Sequence, residues 1–232
     1  MERLLKNFRS DSYGYIIKPN HVEIQADGRV NSAKSIFLTN KTLKNLPVQF
    51  NNVMGEFDVS TSTLTTLEGS PQTCDSFRCY GTPLHSLQGG PQAVSVEYNC
   101  NRCWLKTLEG APHDMGFQGR FHASGNMLEN LVGAPQQVDF LDVTSNPLNS
   151  LEGLPKYCRK LSLPYQPHIP LLRVLLVSGL QTLEVLLEEG SWSEDQTDLQ
   201  EILLKYAGKG WAAMVPCARE MIRMGYRENA RL

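Results

Sequence analysis

The chain has 232 residues, enough for one extended domain with caps or for one domain with a small appendage. Its 41% hydrophobic and 20% charged residues are typical of a folded protein rather than a disordered one. A net charge of −2 argues against general affinity for nucleic acid or anionic membranes. No apolar stretch is long enough to span a membrane, and the first residues lack the hydrophobic core of a secretory signal. We therefore expect the six cysteines to be free thiols in a reduced cytosol.

Residues 1–32 are predicted to cap one end of an elongated structure. Apolar side chains recur on one side of a short helix over residues 1–9. Residues 22–24 and 29–30 are predicted to be extended on either side of a turn at Asp27-Gly28. Such a segment would cover the core that the end of a repeat array exposes.

Residues 33–164 contain a phrase, Leu-x-x-Leu-x-Gly-x-Pro, that recurs every 20 to 23 residues. Its copies are LTTLEGSP from Leu64, LHSLQGGP from Leu84, LKTLEGAP from Leu105, LENLVGAP from Leu128 and LNSLEGLP from Leu148, after a degenerate LKNLPVQF from Leu43. Self-similarity at such a period indicates a solenoid.

Each repeat also contains two apolar residues spaced by two, the first lying seven residues before the leading leucine. The pairs are Ile36/Leu38, Phe57/Val59, Phe77/Cys79, Tyr98/Cys100, Phe121/Ala123, Leu141/Val143 and, in a last truncated copy, Leu161/Leu163. Alternation of this kind predicts one short strand per repeat with one buried face. The whole unit resembles the leucine-rich repeat, with the asparagine of that motif present at Asn126 and Asn146 and replaced by Cys103 between them. This resemblance implies an α/β leucine-rich-repeat solenoid of about seven short parallel strands.

The glycine and proline of the phrase leave little room for a helix on the convex side, so turns and extended or 3₁₀ segments are expected there. The step to Leu128 is longer than the others and predicts a bulged loop near residues 115–119. This loop is interpreted either as drift of the repeat or as a binding loop, with drift preferred.

Residues 165–232 are predicted to form a helical C-terminal domain. Residues 171–190 indicate one or two short helices broken at Ser178-Gly179. Ser193 to Gln196 form a capping box that opens a helix ending near Ala207, and a last helix is predicted over residues 211–224.

The sequence predicts no enzyme, with no catalytic residue, cofactor site or metal site. Cys100 and Cys103 have the spacing of a metal knuckle, but no second such pair occurs and core packing is preferred. Cys217 has no histidine nearby in sequence to act as its base, since the last histidine is His168. Signatures of nucleotide-binding loops, zinc proteases and serine hydrolases are also missing.

The outward positions of the strands are the candidate binding site, because stacked strands would place them side by side on the concave face. The predicted protein-binding residues are Phe37, Asp58, Arg78, Tyr80, Glu97, Asn99, Arg120, His122, Phe140 and Asp142. Tyrosine and arginine are enriched at binding hot spots. The alternative is a solvated face whose aromatic residues are covered by the helical tail.

The segment from His21 to Pro71 and the closing segment from Lys205 to Leu232 are similar to a repeat family of tailed bacteriophages. Asp27-Gly28-Arg29-Val30, residues 46–50 and the Leu-Glu-Gly-x-Pro copies carry this resemblance. It implies a phage protein that acts in the cytoplasm of its bacterial host.

Three hypotheses follow. The preferred one is a protein-binding module that captures a host protein on the concave face and counters host defence, with no membrane contact. The second is a structural or assembly protein of the virion that forms a homo-oligomer. The third, disfavoured by the charge, is binding of nucleic acid or nucleotide through a helical face carrying Arg219, Arg223, Arg227 and Arg231.

Overall fold

A computed structural model describes residues 21–39, 42–46, 48–187 and 194–231. The helix predicted over residues 1–9 and the predicted capping residue Ser193 lie outside these ranges. The strands are β1 Val22–Ile24, β2 Val30–Ser32, β3 Ile36–Phe37, β4 Phe50–Asp58, β5 Thr73–Arg78, β6 Ala93–Asn99, β7 Arg120–His122, β8 Gln137–Asp142, β9 Tyr157–Pro164 and β10 Thr182–Leu186. The helices are a 3₁₀ helix Leu171–Leu176, α1 Glu194–Tyr206, a 3₁₀ helix Trp211–Ala213 and α2 Met214–Arg223.

All the strands belong to one sheet, in the order β1-β2-β4-β5-β6-β7-β8-β9-β10, with β3 beside β4. β1 and β2 form an antiparallel hairpin around the predicted turn. From β2 onward every pairing is parallel, and each strand pairs with the strand of the next repeat. The predicted parallel solenoid is therefore confirmed.

The inner side of the sheet forms the core, as the two-residue alternation predicts. Phe50, Phe57, Phe77, Tyr98 and Phe121 are buried and form a continuous column of rings, with neighbouring centroids 4.9–6.0 Å apart. In later repeats the column continues with Leu141, Leu161 and Leu183. Aromatic pairs at these distances add about 0.5–1.5 kcal/mol each beyond the burial of their surface.

The repeated glycine is required for two reasons, the backbone angle and the spacing between turns. Gly110 has φ +93° and Gly133 has φ +91°, a region in which only glycine is free of steric strain. A Cβ at Gly133 would lie 2.5 Å from the backbone nitrogen of Glu109 in the preceding turn, and one at Gly110 would overlap the backbone of Leu87. The glycines thus allow consecutive turns to lie in backbone contact.

The structure corrects the helical prediction for residues 171–190. Residues Leu171–Leu176 are helical, but residues Thr182–Leu186 form β10, which pairs in parallel with β9 and places Leu183 opposite Leu161. Leu183 and Val185 point into the core, at the two-residue period of a strand. A short apolar run fits both periods, and here the open edge of β9 supplies the hydrogen-bond partners of a strand.

The predicted helices at the C-terminal end are confirmed as α1 and α2. Their buried residues include Leu199, Leu203, Cys217 and Met221. Glu220 of α2 joins the helices, since it accepts hydrogen bonds from Lys205 Nζ at 2.8 and 2.9 Å and from the Tyr206 hydroxyl at 2.8 Å. α1 also reaches the last strand, because the Gln200 side chain accepts a hydrogen bond from the backbone N–H of Val185 at 3.3 Å.

Candidate functional site

The strand register places the predicted site residues in neighbouring columns on the outer side of the sheet. The central column contains Phe37, Asp58, Arg78, Asn99, His122, Asp142, Ser162 and Glu184. The column on its N-terminal side contains Glu56, Ser76, Glu97, Arg120, Phe140, Lys160 and Thr182. Together these columns are called the strand face. Tyr80 lies beyond the end of β5, at the rim of the strand face.

A chain of alternating charges crosses four strands of the strand face. Arg78 Nη1 is 2.9 Å from Glu56 Oε1, and Arg78 Nε is 3.3 Å from Glu97 Oε1. Arg120 Nη2 is 3.3 Å from Glu97 Oε2. Each arginine is therefore already oriented by a carboxylate on a neighbouring strand.

The carboxylates of this chain of charges are less exposed than the arginines. The side chains of Glu97 and Glu56 are 14% and 23% exposed, whereas those of Arg78 and Arg120 are 41% and 49% exposed. Burial raises the pKa of Glu56 above its ordinary value; Arg78 opposes this shift, while Asp58 and Glu97 add to it. An approaching molecule would meet the guanidinium groups first.

A second group of contacts surrounds Phe140 on the later strands. The His122 ring lies edge-on to Phe140 at 5.2 Å, and Lys160 Nζ lies 4.9 Å from the Phe140 centroid. Asp142 Oδ2 is 3.9 Å from His122 Nδ1, and its Oδ1 accepts hydrogen bonds from the Thr144 hydroxyl at 2.7 Å and the Thr144 N–H at 3.1 Å. Burial acts to raise the pKa of Asp142, but the interactions with His122 and Thr144 outweigh it and lower the pKa.

The predicted site residues omit three charged residues of this face, Glu56, Lys160 and Glu184, and the last was missed altogether because its segment was predicted to be helical. Glu184 on β10 accepts a hydrogen bond from the Ser162 hydroxyl at 2.6 Å and pairs with Lys160 Nζ at 2.7 Å. Glu184 lies between Leu183 and Val185, so the apolar-polar-apolar pattern was a usable signal that the helical prediction obscured. Phe37 and Phe140, predicted at outward positions, are partly buried.

The six cysteine side chains are buried and pack in the core. Cys100 Sγ lies 3.2 Å from the His122 carbonyl oxygen, and Cys103 Sγ lies 2.9 Å from that of Cys79. Burial raises the pKa of Cys74 and of Cys158 to about 12 and that of Cys217 to about 11. Among the described residues no group of histidine, cysteine and carboxylate side chains has the arrangement of a metal site.

The loop over residues 115–119 reaches across the neighbouring repeat. Met115 is buried and its N–H donates to the Gln137 carbonyl at 2.9 Å. Phe117 is exposed and lies edge-on to the Tyr157 ring at 4.9 Å. The additional residues before Leu128 therefore form a local contact between repeats.

The structure corrects the predicted arginine face of the last helix. α2 contains Arg219 and Arg223 and ends at Arg223. Gly225, at φ +95°, turns the chain away, so Arg227 and Arg231 do not extend that face. Arg231 pairs instead with Glu228.

Comparison of the chain with models of protein families, with curated proteins and with solved structures gave no match. Within the described ranges, no helix combines the length and apolar character needed to cross a membrane.

Proposed function

We propose that this chain is a non-enzymatic leucine-rich-repeat protein of the tailed-bacteriophage type that captures a host protein on the strand face. It acts in the host cytoplasm and neutralises a component of host defence. The observation that carries this proposal is the strand face itself, on which parallel register aligns arginine, aromatic and carboxylate side chains across adjacent strands.

The leucine-rich-repeat type is supported by hydrogen bonds at the asparagine position. Asn126 Nδ2 donates to the carbonyls of Cys100 and Ala123, each at 2.9 Å, and its Oδ1 accepts from the N–H groups of Cys103 and Leu105. Asn146 Nδ2 donates to Ala123 and Val143 carbonyls in the same way. One buried amide thus joins consecutive turns, which is the structural purpose of an asparagine at that position of the motif.

Protein binding is favoured because the face is both preorganised and charged. Its arginines are held by carboxylates before any partner arrives, so binding would order few additional side chains. Five carboxylates, those of Glu56, Asp58, Glu97, Asp142 and Glu184, outnumber the three bases Arg78, Arg120 and Lys160. The face should therefore attract a partner surface with a net positive charge.

The test is capture of a protein from host lysate by the tagged chain, compared with a variant in which Arg78, Tyr80, Arg120 and Phe140 are replaced by Ala. We expect one stoichiometric protein with the wild type and none with the variant. The matched control replaces the same kinds of side chain elsewhere, at Arg219, Arg223, Phe117 and Trp211, and should retain capture. Capture that survives in the strand-face variant, with folding verified by circular dichroism, would contradict the proposal.

A second candidate, an assembly protein that self-associates, is favoured by one observation. Trp211, Val215 and Ile222 are exposed by 67%, 59% and 42%, and lie at helical spacing along α2 and the turn before it. Exposed apolar side chains in a row are typical of interfaces. Light scattering of the purified chain would detect an oligomer, and Val215→Ser with Ile222→Ser should return it to a monomer. Recovery of the chain with purified virus particles would further support this candidate.

A further inference from the structure

An exposed cluster lies at the rim of the strand face, where four residues follow the ends of consecutive strands. Tyr80, Arg102, Trp104 and Met127 form this rim cluster. Trp104 is 58% exposed, Met127 is 50% exposed and Tyr80 is 37% exposed. Tyrosine, tryptophan, methionine and arginine are the residue types enriched in protein interfaces. The composition alone therefore distinguishes this rim from an ordinary solvated loop.

Hydrogen bonds join the turns that carry the rim cluster. Arg102 Nη1 donates to the Tyr80 hydroxyl at 3.4 Å. The Met127 N–H donates to the Leu105 carbonyl at 2.8 Å, directly after Trp104. Trp104 and Met127 occupy the same position in adjacent turns, since each follows the residue at the asparagine position, Cys103 or Asn126. The cluster therefore extends over three consecutive turns.

Trp104 is held in a conformation that costs stability. Its φ is +60°, a left-handed conformation that side chains with a Cβ resist, whereas the left-handed φ of Arg102, +55°, is shared by Thr61 and Ser145 at the same position of other repeats. The N–H groups of Cys103 and Leu105 both donate to Asn126 Oδ1, at 2.8 and 3.0 Å, which turns Trp104 outward between them. A large apolar side chain that is both strained and more than half exposed contributes poorly to folding. Strain of this kind clusters at binding sites.

The charge of the cluster indicates what binds there. The Arg102 guanidinium contacts a phenol hydroxyl, whereas Arg78 and Arg120 on the strand face contact carboxylates. A carboxylate from a ligand would pair with the Arg102 guanidinium. An apolar side chain next to that carboxylate would pack against Trp104. Three turns span about 10 Å at the usual strand spacing, which three residues of extended chain would cover. Arg102 is the single cation among the four residues of the cluster, so it matches one carboxylate and would leave the further charges of a polyphosphate unpaired.

We propose that the rim cluster binds an extended protein segment in which an acidic residue lies close to an aromatic or large aliphatic one. This inference rests on the proposed function and adds the chemistry of the segment and the residues that receive it. Tyr80 lies at the junction, so a partner seated on the strand face would reach Arg102 and Trp104 with its adjoining segment.

The test uses a displayed library of random peptides of about twelve residues, longer than the three extended residues that would span the cluster, selected on the full chain. Enriched peptides should carry Asp or Glu within three residues of Trp, Phe, Leu or Met. Their affinities, measured by fluorescence anisotropy, should fall about tenfold or more for Trp104→Gly and for Arg102→Asn, in which asparagine tolerates the left-handed backbone. Ser145→Gly is the matched control, because Ser145 has φ +53° outside the cluster and its replacement should leave affinity unchanged.

A merely structural role for Trp104 is separated by thermal unfolding. Gly accepts the left-handed conformation, so Trp104→Gly should melt at or above the wild-type temperature while losing the peptide. Enriched peptides without a carboxylate, or with unchanged affinity for Trp104→Gly, would overturn the inference. So would tight binding of a fluorescent single-stranded oligothymidine that depends on Trp104.

The proposed function and the inference fail differently. Host-protein capture that is lost in the strand-face variant but unaffected by Trp104→Gly would overturn the inference and leave the proposed function standing. Peptide binding that depends on Trp104 and Arg102, beside host-protein capture that survives in the strand-face variant, would support the inference and contradict the proposed function.

Discussion

The two halves of the solenoid are held together by different interactions. In the first half, through β6, the rings of Phe57, Phe77 and Tyr98 stack from turn to turn. From β7 onward the column continues with Phe121 and then with leucines, and the amides of Asn126 and Asn146 join the turns of β7 and β8 to the turn before each. Aromatic stacking tolerates small changes of spacing, whereas an amide joining four backbone groups does not.

The asparagine position of the repeat shows the same contrast. Where the second half has asparagine, the first half has Thr82, whose hydroxyl donates one hydrogen bond to the Val59 carbonyl at 3.3 Å. Cys103, at the boundary, directs its thiol at the Cys79 carbonyl at 2.9 Å. The first half thus depends on its rings for stability and the second on its amides.

The largest effect is expected from Asn126→Ala. The change removes the amide from four backbone groups, two carbonyls and two N–H groups, in a site where Asn126 is 6% exposed. An unpaired buried backbone group costs about 1–3 kcal/mol, so we expect a loss of about 4 kcal/mol or more in the free energy of unfolding. Urea unfolding followed by circular dichroism measures this loss.

Thr82→Val is the matched change in the first half and should cost only about 1 kcal/mol, because it leaves one carbonyl without its partner. Equal losses at the two positions would show that the halves do not differ in the way their turns are joined.

Much of this organisation could be predicted from the sequence. The inward residues from Phe57 to Leu163 were identified because a strand with one buried face imposes a two-residue period. β10 was missed because Leu183 and Val185 lie in an apolar run that a helix also fits. The candidate site followed from the same period, but its ion pairs depend on register between strands.

The strained rim was beyond sequence reasoning for another reason. The conformation of Trp104 depends on where Asn126, in the next turn, directs its carbonyl oxygen. No pattern within one repeat contains that information.

A smaller effect, of opposite sign, is expected in the aromatic column. Tyr98 is fully buried, and its hydroxyl has no hydrogen-bond partner among the described residues. Tyr98→Phe removes an unpaired polar atom and keeps the ring contacts with Phe77 and Phe121, so unfolding should require about 1 kcal/mol more. Phe77→Tyr is the control that adds a hydroxyl to the same column and should destabilise. A loss of stability in Tyr98→Phe would mean that the hydroxyl is satisfied and that the column is not purely apolar.

The smallest effect is expected from Asp142→Asn, which tests whether the outer face of the second half adds to stability through charge. The pKa of Asp142 is lowered in the folded chain, whereas the pKa of an unfolded aspartate is about 3.9. Its contribution is therefore fully present above that value and is lost as the pH falls through the lower, folded pKa. Asparagine can still accept the hydrogen bonds from Thr144 but cannot titrate. Stability measured by urea unfolding at a series of pH values should thus fall less steeply below pH 4 in Asp142→Asn than in the wild type. Parallel curves would mean that the interactions with His122 and Thr144 do not favour the carboxylate, and that charge at this position adds nothing to the stability of the second half.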